Sequence, residues 1–302
     1  MNFEISNSAL KTTEFVSARP SDKLFVEMSF ELFGQWRQFI YEKTGIYFQD
    51  NKKYLLESRL MRRLLHLKMN SYQEYLDFIK NTPQGKYELR YLYDSITINE
   101  TFFFRNQAQL DALVLKVIPE LIVQKKNNNQ NKIRIWSAAV SSGEEAYSIA
   151  MMINDFVSNK YPDFEFELIG TDLSNTALEA AVRGIYSEYS IRNVPIQFLK
   201  RYFRKNDNYY EISPVIKGMV DFKHLNLYED IAIIGMGSID VIFCANVLIY
   251  FDQNSKIKVI NNLYRSLNKN GYLFIGYSES LHGISKAFKL VSFPKTVGYK
   301  KE

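Results

Sequence analysis

The sequence predicts an α/β protein: a largely parallel sheet covered by helices, preceded by a helical region and interrupted by a small β insertion. Three observations carry this prediction. From Ile133 onward, strand-like and helix-like segments alternate, as crossovers between parallel strands require. Ile133–Ala150 reads as a buried strand, a turn of small residues, and a helix opening on Glu144 and Glu145. Between Phe30 and about Leu92, apolar residues recur at helical spacing instead.

Composition sets the bounds. A chain of 302 residues, 46% hydrophobic and 24% charged, is an ordinary globular protein of about two domains. The net charge of +5 is too mild to argue nucleic acid as a partner. One cysteine, Cys244, excludes an internal disulfide and fits a cytoplasmic setting. The first residues are polar, so no cleaved leader is expected. The longest apolar run, Ile239–Phe251, is broken by Asp240 and Asn246 and is too short to span a bilayer, so membrane insertion is not expected.

In chain order, residues 1–28 read as a loose tail and 29–96 as a helical domain. Phe30, Leu32, Phe33, Trp36, Phe39 and Ile40 define a first helix, which Thr44-Gly45-Ile46 breaks. A second helix, about Lys52–Leu67, carries Leu56, Leu60 and Leu64 on one face. Arg59, Arg62, Arg63 and His66 fall on another, at i, i+3, i+4 and i+7. This basic stripe reads either as a solvated face or as a docking face for an acidic partner such as a helical bundle. Ser71-Tyr72-Gln73-Glu74 has capping-box spacing and opens a third helix; a fourth covers about Lys86–Ile96.

Residues 97–302 are read as the α/β domain. Its first segment, Thr97–Asn106, interleaves Asn99, Thr101 and Arg105 with three phenylalanines. The phenylalanines call for burial, so Arg105 either snorkels or meets an anion. Strands are then expected at Ile133–Trp136, Phe166–Thr171, Ile239–Cys244 and Gly271–Ile275, with helices at Glu144–Phe156, Asn175–Arg183 and Asn254–Leu267. Phe288–Val291 and Thr296–Tyr299 form an edge hairpin. At about 200–225 the alternation stops, and Tyr209–Ile212 and Val215-Ile216 read as β pieces of a small insertion.

The turn after Ile133–Trp136 holds one glycine, Gly143, and no Gly-Lys-Ser/Thr. It is therefore neither the dinucleotide fingerprint nor a P-loop. Glu144 and Glu145 stand where phosphate sites avoid negative charge; they suit the helix dipole, and a cation or hydroxyls. Asp172 ends the second strand, where an acid accepts hydrogen bonds from ribose hydroxyls or caps the next helix. Asn246 ends the strand VIFCAN, with Tyr250 four residues on.

These segments carry a resemblance. SITINETFFFRN, RIWSAAVSSGEEAYSIAM, IGTDLSNTALEAAVRGIYSE, VDFKHLNL, FCANVLIYFD and GYLFIGYSES resemble, in order, the motifs of the CheR family of chemotaxis-receptor glutamate O-methyltransferases. The resemblance runs from about Phe30 to the C-terminus. It implies an all-α N-terminal domain joined to a class I S-adenosylmethionine-dependent (Rossmann-like) methyltransferase domain with a small antiparallel β-subdomain. It also implies S-adenosylmethionine as methyl donor, S-adenosylhomocysteine as product, and no metal. The implied substrates are glutamate carboxylates in the acidic helical bundle of methyl-accepting chemotaxis receptors.

Matching positions are expected to take the family's roles. Asn99, Thr101 and Arg105 border the cofactor and the transfer site; Glu145 meets the methionine end or its surroundings; Asp172 binds the ribose; Asn226 and Leu227 lie beside the adenine. Ala245 and Asn246 belong to the motif near the sulfonium, and Tyr250 lies at the reacting centre. Arg105 and Tyr250 are the expected catalytic residues, and Arg59, Arg62 and Arg63 the expected receptor-docking ones. Two positions depart from the pattern. Ala245 replaces a motif arginine, and Val140 puts bulk into the turn. The lost arginine keeps a second reading open, a catalytically weak or inactive module that binds cofactor and tethers a receptor or regulator. A nicotinamide dehydrogenase is disfavoured by the single-glycine turn.

Overall fold

The computed structural model describes residues 27–302. The loose tail expected over 1–28 otherwise lies outside the described residues, but its last two positions contradict it. Met28 is buried and its N–H donates to Glu57 Oε1 (2.8 Å), while Glu27 pairs with Lys53.

The helical domain comprises α1 (Phe30–Thr44), α2 (Lys53–Leu67), α3 (Tyr72–Asn81) and α4 (Pro83–Ile96). Its core forms where the spacing predicts: Phe33, Trp36, Phe39, Ile40, Leu56, Leu60 and Leu64 are buried together, although Phe30 is exposed. Ser71 caps α3 through the Glu74 N–H, and Thr82 caps α4.

The remaining elements are α5 (Gln107–Ala112), α6 (Ile118–Asn127), β1 (Lys132–Ala138), α7 (Glu144–Phe156), β2 (Glu165–Asp172), α8 (Asn175–Arg183), β3 (Ile185–Ser187), α9 (Glu188–Ile191), α10 (Ile196–Tyr202), β4 (Phe203–Asn206), β5 (Tyr209–Ile212), α11 (Pro214–Lys217), β6 (Val220–His224), α12 (Asp230–Ile234), β7 (Ile239–Cys244), α13 (Gln253–Ser266), β8 (Leu267–Ile275), β9 (Phe288–Phe293) and β10 (Thr296–Lys301). Seven strands form one sheet in the order β6-β2-β1-β7-β8-β10-β9. The first five are parallel, and the β9–β10 hairpin closes the edge antiparallel. Apolar side chains pack on both faces of this sheet, as parallel strands demand. Asp240, which breaks the apolar run of β7, is buried but satisfied: it accepts from Arg134 N–H and Asn268 Nδ2 and pairs with Lys125.

The β insertion differs from its expected bounds. It is a three-stranded antiparallel sheet in the order β3-β5-β4, so it begins at Ile185 and ends at Ile212. Val215-Ile216 belongs to a helical turn that Pro214 opens, and Val220–His224 pairs parallel with β2 as the edge of the main sheet. Its partners lie 52 residues upstream (Leu168 pairs with Val220), and so it leaves no local signal.

The helical and α/β parts meet along one seam. Tyr47 N–H donates to Tyr250 O (3.0 Å), and Asn226 Nδ2 donates to Lys43 O (2.7 Å). Asp94 accepts from Ser174 Oγ (2.7 Å) and from the N–H and hydroxyl of Thr176, at the first turn of α8. No helix among the described residues is long and apolar enough to cross a membrane.

Candidate active site

One cavity opens at the C-terminal ends of β1, β2 and β7, where the strand order reverses between β2 and β7. Its wall includes Asn99, Thr101, Arg105, Glu145, Asp172, Asn226, Leu227, Ala245, Asn246 and Tyr250. These positions come from five separate chain segments, and the fold brings them together. Thr44 and Ile46 of the helical part complete the wall.

The turn after β1 is held from below. Asp172 is buried; its Oδ2 accepts from Ser141 N–H (2.7 Å) and its Oδ1 from Ser174 N–H (2.9 Å). Ser174, not Asp172, caps α8. Burial pushes the Asp172 carboxyl above its usual range, against these N–H donors. Gly143 has φ +95°, and a Cβ there would stand 2.9 Å from Ala181 Cβ, so only glycine fits. Val140 donates its N–H to Thr171 O (2.9 Å), and its side chain is buried, 3.5 Å from where a Cβ on Gly170 would stand.

The two acids of α7 separate in role. Glu144 is buried and accepts from Ser142 Oγ (2.7 Å), away from the cavity wall. Glu145 accepts from Ser137 Oγ (2.7 Å) and faces the cavity. Burial pushes its carboxyl up to about 7, opposed by the Ser137 hydrogen bond and by Arg105, and reinforced by Glu279.

The phenylalanine segment is split in the same way. Phe103 and Phe104 are buried, whereas Phe102 is half-exposed beneath the Arg105 guanidinium, 5.4 Å from the ring centre. Arg105 Nη1 donates to Glu100 O (2.9 Å) and is otherwise open to the cavity mouth. Tyr250 is half-buried; burial raises its hydroxyl above the usual phenol range, while Arg59 and Arg105 draw it down.

The basic stripe of α2 does not stay together. Arg63 turns inward and grips Glu88 through Nε (2.7 Å) and Nη2 (2.9 Å), so its expected docking role is corrected to an internal ion pair. Arg59 is partly buried at the seam and donates to Ile96 O. Arg62 and His66 remain exposed. Helical spacing placed all four on one side, but Glu88 on α4 was out of reach of that pattern.

Sequence reasoning missed Asn106, Gln109 and Ser141, which also line the cavity. Each carries a buried polar atom without a hydrogen-bond partner: Asn106 Nδ2, Gln109 Oε1 and Ser141 Oγ. Such orphans concentrated in one wall fit a polar ligand better than an apolar one. Phe104, Ala139, Ser141 and Asn246, all cavity residues, have positive φ, strain of the kind stored at binding sites. Glu279 was missed too. Its Oε2 accepts from Asn246 N–H (3.0 Å) and Gly276 N–H (2.7 Å), and its Oε1 is buried without a partner.

A parallel sheet with its cavity at the switch point, a strand-end acid, and a turn built for something other than phosphate define the S-adenosylmethionine-dependent methyltransferase class. The chain belongs to the CheR methyltransferase family. The family's SAM-binding domain matches residues 99–297 and its all-alpha domain residues 31–97. Chemotaxis protein methyltransferase 2 of Vibrio cholerae serotype O1 is 36% identical over 273 residues, covering 89% of this chain and 92% of that protein. The chemotaxis protein methyltransferase of Borreliella burgdorferi is 36% identical over 247 residues, covering 82% and 87%. Among solved structures, the magnesium protoporphyrin IX methyltransferase of Synechocystis PCC 6803 with bound SAM matches at 13% identity and a TM-score of 0.33, over 75% of this chain and 94% of that one.

Proposed function

We propose that the chain methylates glutamate side-chain carboxylates of chemoreceptor cytoplasmic helices, the reaction of a protein-glutamate O-methyltransferase. S-adenosylmethionine supplies an activated methyl group when bound. The convergence of nine family-matched positions on one cavity carries this reading. The donor set suits such a ligand: acids toward ribose hydroxyls and an ammonium group, and no cradle for pyrophosphate.

Asp172 would hold the ribose, and Asn226 and Leu227 the adenine edge. Glu145 would take the amino-acid end together with Asn99 and Thr101, and Asn246 and Ala245 would border the sulfonium. The chain's catalytic task is mostly positioning. A glutamate carboxylate near pH 7 is already ionised, so no general base is needed. Arg105, backed by Phe102 and tethered to Glu100 O, orients that carboxylate at the mouth. Tyr250 shapes the reacting centre from the opposite segment. The apolar walls exclude water, which favours a step in which opposite charges cancel. The exposed Arg62, with Arg59 behind it, would face the acidic receptor bundle. The helical domain (29–96) would thus present the substrate to the methyltransferase domain (97–302).

Mapping the methyl groups by mass spectrometry on a chemoreceptor cytoplasmic fragment tests the proposal. Esters on glutamate side chains support it; cofactor binding without any ester favours the tethering module, for which Ala245 is the motivating residue.

A further inference from the structure

We infer that Arg192 is a specificity-determining residue, reading a second carboxylate one helical turn from the one that is methylated. The inference rests on the carboxyl-methylating reading of the cavity above. Arg192 follows α9 in the β-subdomain and is exposed. Its guanidinium lies between two rings, 3.6 Å from the centre of Phe102 and 3.7 Å from the centre of Tyr189. Phe102 belongs to the cavity wall and also carries Arg105 at 5.4 Å. One ring at the mouth thus holds two cations from different parts of the chain.

The clamp is built from more than the rings. Arg192 Nη1 donates to Tyr189 O, the Tyr189 hydroxyl reaches Glu100 Oε1 (3.4 Å), and Phe103 N–H donates to Ser190 O (3.0 Å). These contacts tie the α9 segment to the segment that bears Arg105. Arg201 and Arg204 of the same subdomain are paired with Asp155 and Glu211, but no ion pair among the described residues uses Arg192. Stacking on both faces, with Nη1 taken by Tyr189 O, leaves the Nε and Nη2 donors at the guanidinium edge for a planar anion. Held in one orientation, it loses little freedom when it binds. On a helix the neighbours of a glutamate on the same face are three and four residues away. An acid there would fall toward Arg192 while the target glutamate meets Arg105.

The test compares wild type, Arg192→Gln and Arg192→Lys on two chemoreceptor cytoplasmic fragments. One is native; in the other, the acids three and four residues from each methylation site are glutamine. On the native fragment Arg192→Gln is expected to raise KM about fivefold, as for a partly exposed ion pair. Arg192→Lys should fall between, because it keeps the charge and loses the stacking. On the neutralised fragment the variants should differ from wild type by less than about twofold. An unchanged KM for Arg192→Gln, or an equal rise on both fragments, would overturn the assignment and leave the site's function standing. Wild-type protein that esterifies neither fragment would overturn the function and this assignment with it.

Discussion

Arg63 and Glu88 form a two-pronged ion pair inside the helical domain, with Arg63 13% and Glu88 5% exposed as side chains. Tyr75, fully buried against Trp36, adds its hydroxyl to Glu88 Oε1 at 2.9 Å. The basic stripe of α2 therefore divides by burial, and a pair of substitutions separates the halves. Arg63→Ala leaves a buried carboxylate uncompensated and should cost about 3–5 kcal/mol of stability. Arg62→Ala should change stability by less than about 0.5 kcal/mol and raise KM for a receptor fragment. Denaturant titration and steady-state kinetics read the two effects; a stable Arg63→Ala protein contradicts the assignment.

Asp172 has a second task besides its expected ribose contact. Asp172→Ala strips partners from the buried N–H groups of Ser141 and Ser174 and should destabilise the protein by about 1–3 kcal/mol. Cofactor affinity should fall at least about tenfold, a loss of about 1.4 kcal/mol in binding. Calorimetric titration with S-adenosylhomocysteine measures it, and unchanged affinity would remove Asp172 from the site.

Glu145 makes stability depend on pH in a defined direction. Its folded carboxyl sits at about 7 against an ordinary value of 4.5, so the folded chain holds its proton more tightly. That contribution is full below about 4.5 and is lost as pH rises through about 7. Glu145→Gln should therefore be more stable than wild type at pH 8, by about 3 kcal/mol in the ligand-free protein, with no difference at acid pH. The reverse order at pH 8 would refute the account of this carboxyl.

Gly143 has no substitute in the turn. Gly143→Ala combines a positive φ with a contact at Ala181 Cβ and should cost about 1–3 kcal/mol, with cofactor affinity lost in parallel. A melting curve identical to wild type would show that the turn can relax.

Much of this was legible beforehand because it is local. Helix α7, helix α8 and strand β7 fall on their expected residues, since each is bounded by a turn glycine, a capping serine or a break in an apolar run. Asp172 and Asn246 were recoverable because they end or follow strands, whereas Asn99, Thr101, Asn226 and Leu227 took their expected roles from the family resemblance. What escaped depended on partners distant in sequence. Val220–His224 is a strand only beside β2, Arg63 is internal only beside Glu88, and Arg192 is held only once Phe102 lies beneath it. Asn106, Gln109 and Ser141 stood inside the quoted segments or beside them, but nothing in their spacing marked their polar atoms as unpartnered.

The reaction itself is tested most directly by incubating the protein and its Arg105→Ala variant with methyl-labelled S-adenosylmethionine and a chemoreceptor cytoplasmic fragment. Wild type should place base-labile label on the fragment. Arg105→Ala should place essentially none, while its cofactor affinity falls far less than its transfer. Wild-type protein that binds cofactor but transfers no base-labile label, or an Arg105→Ala variant with undiminished turnover, would contradict the central claim.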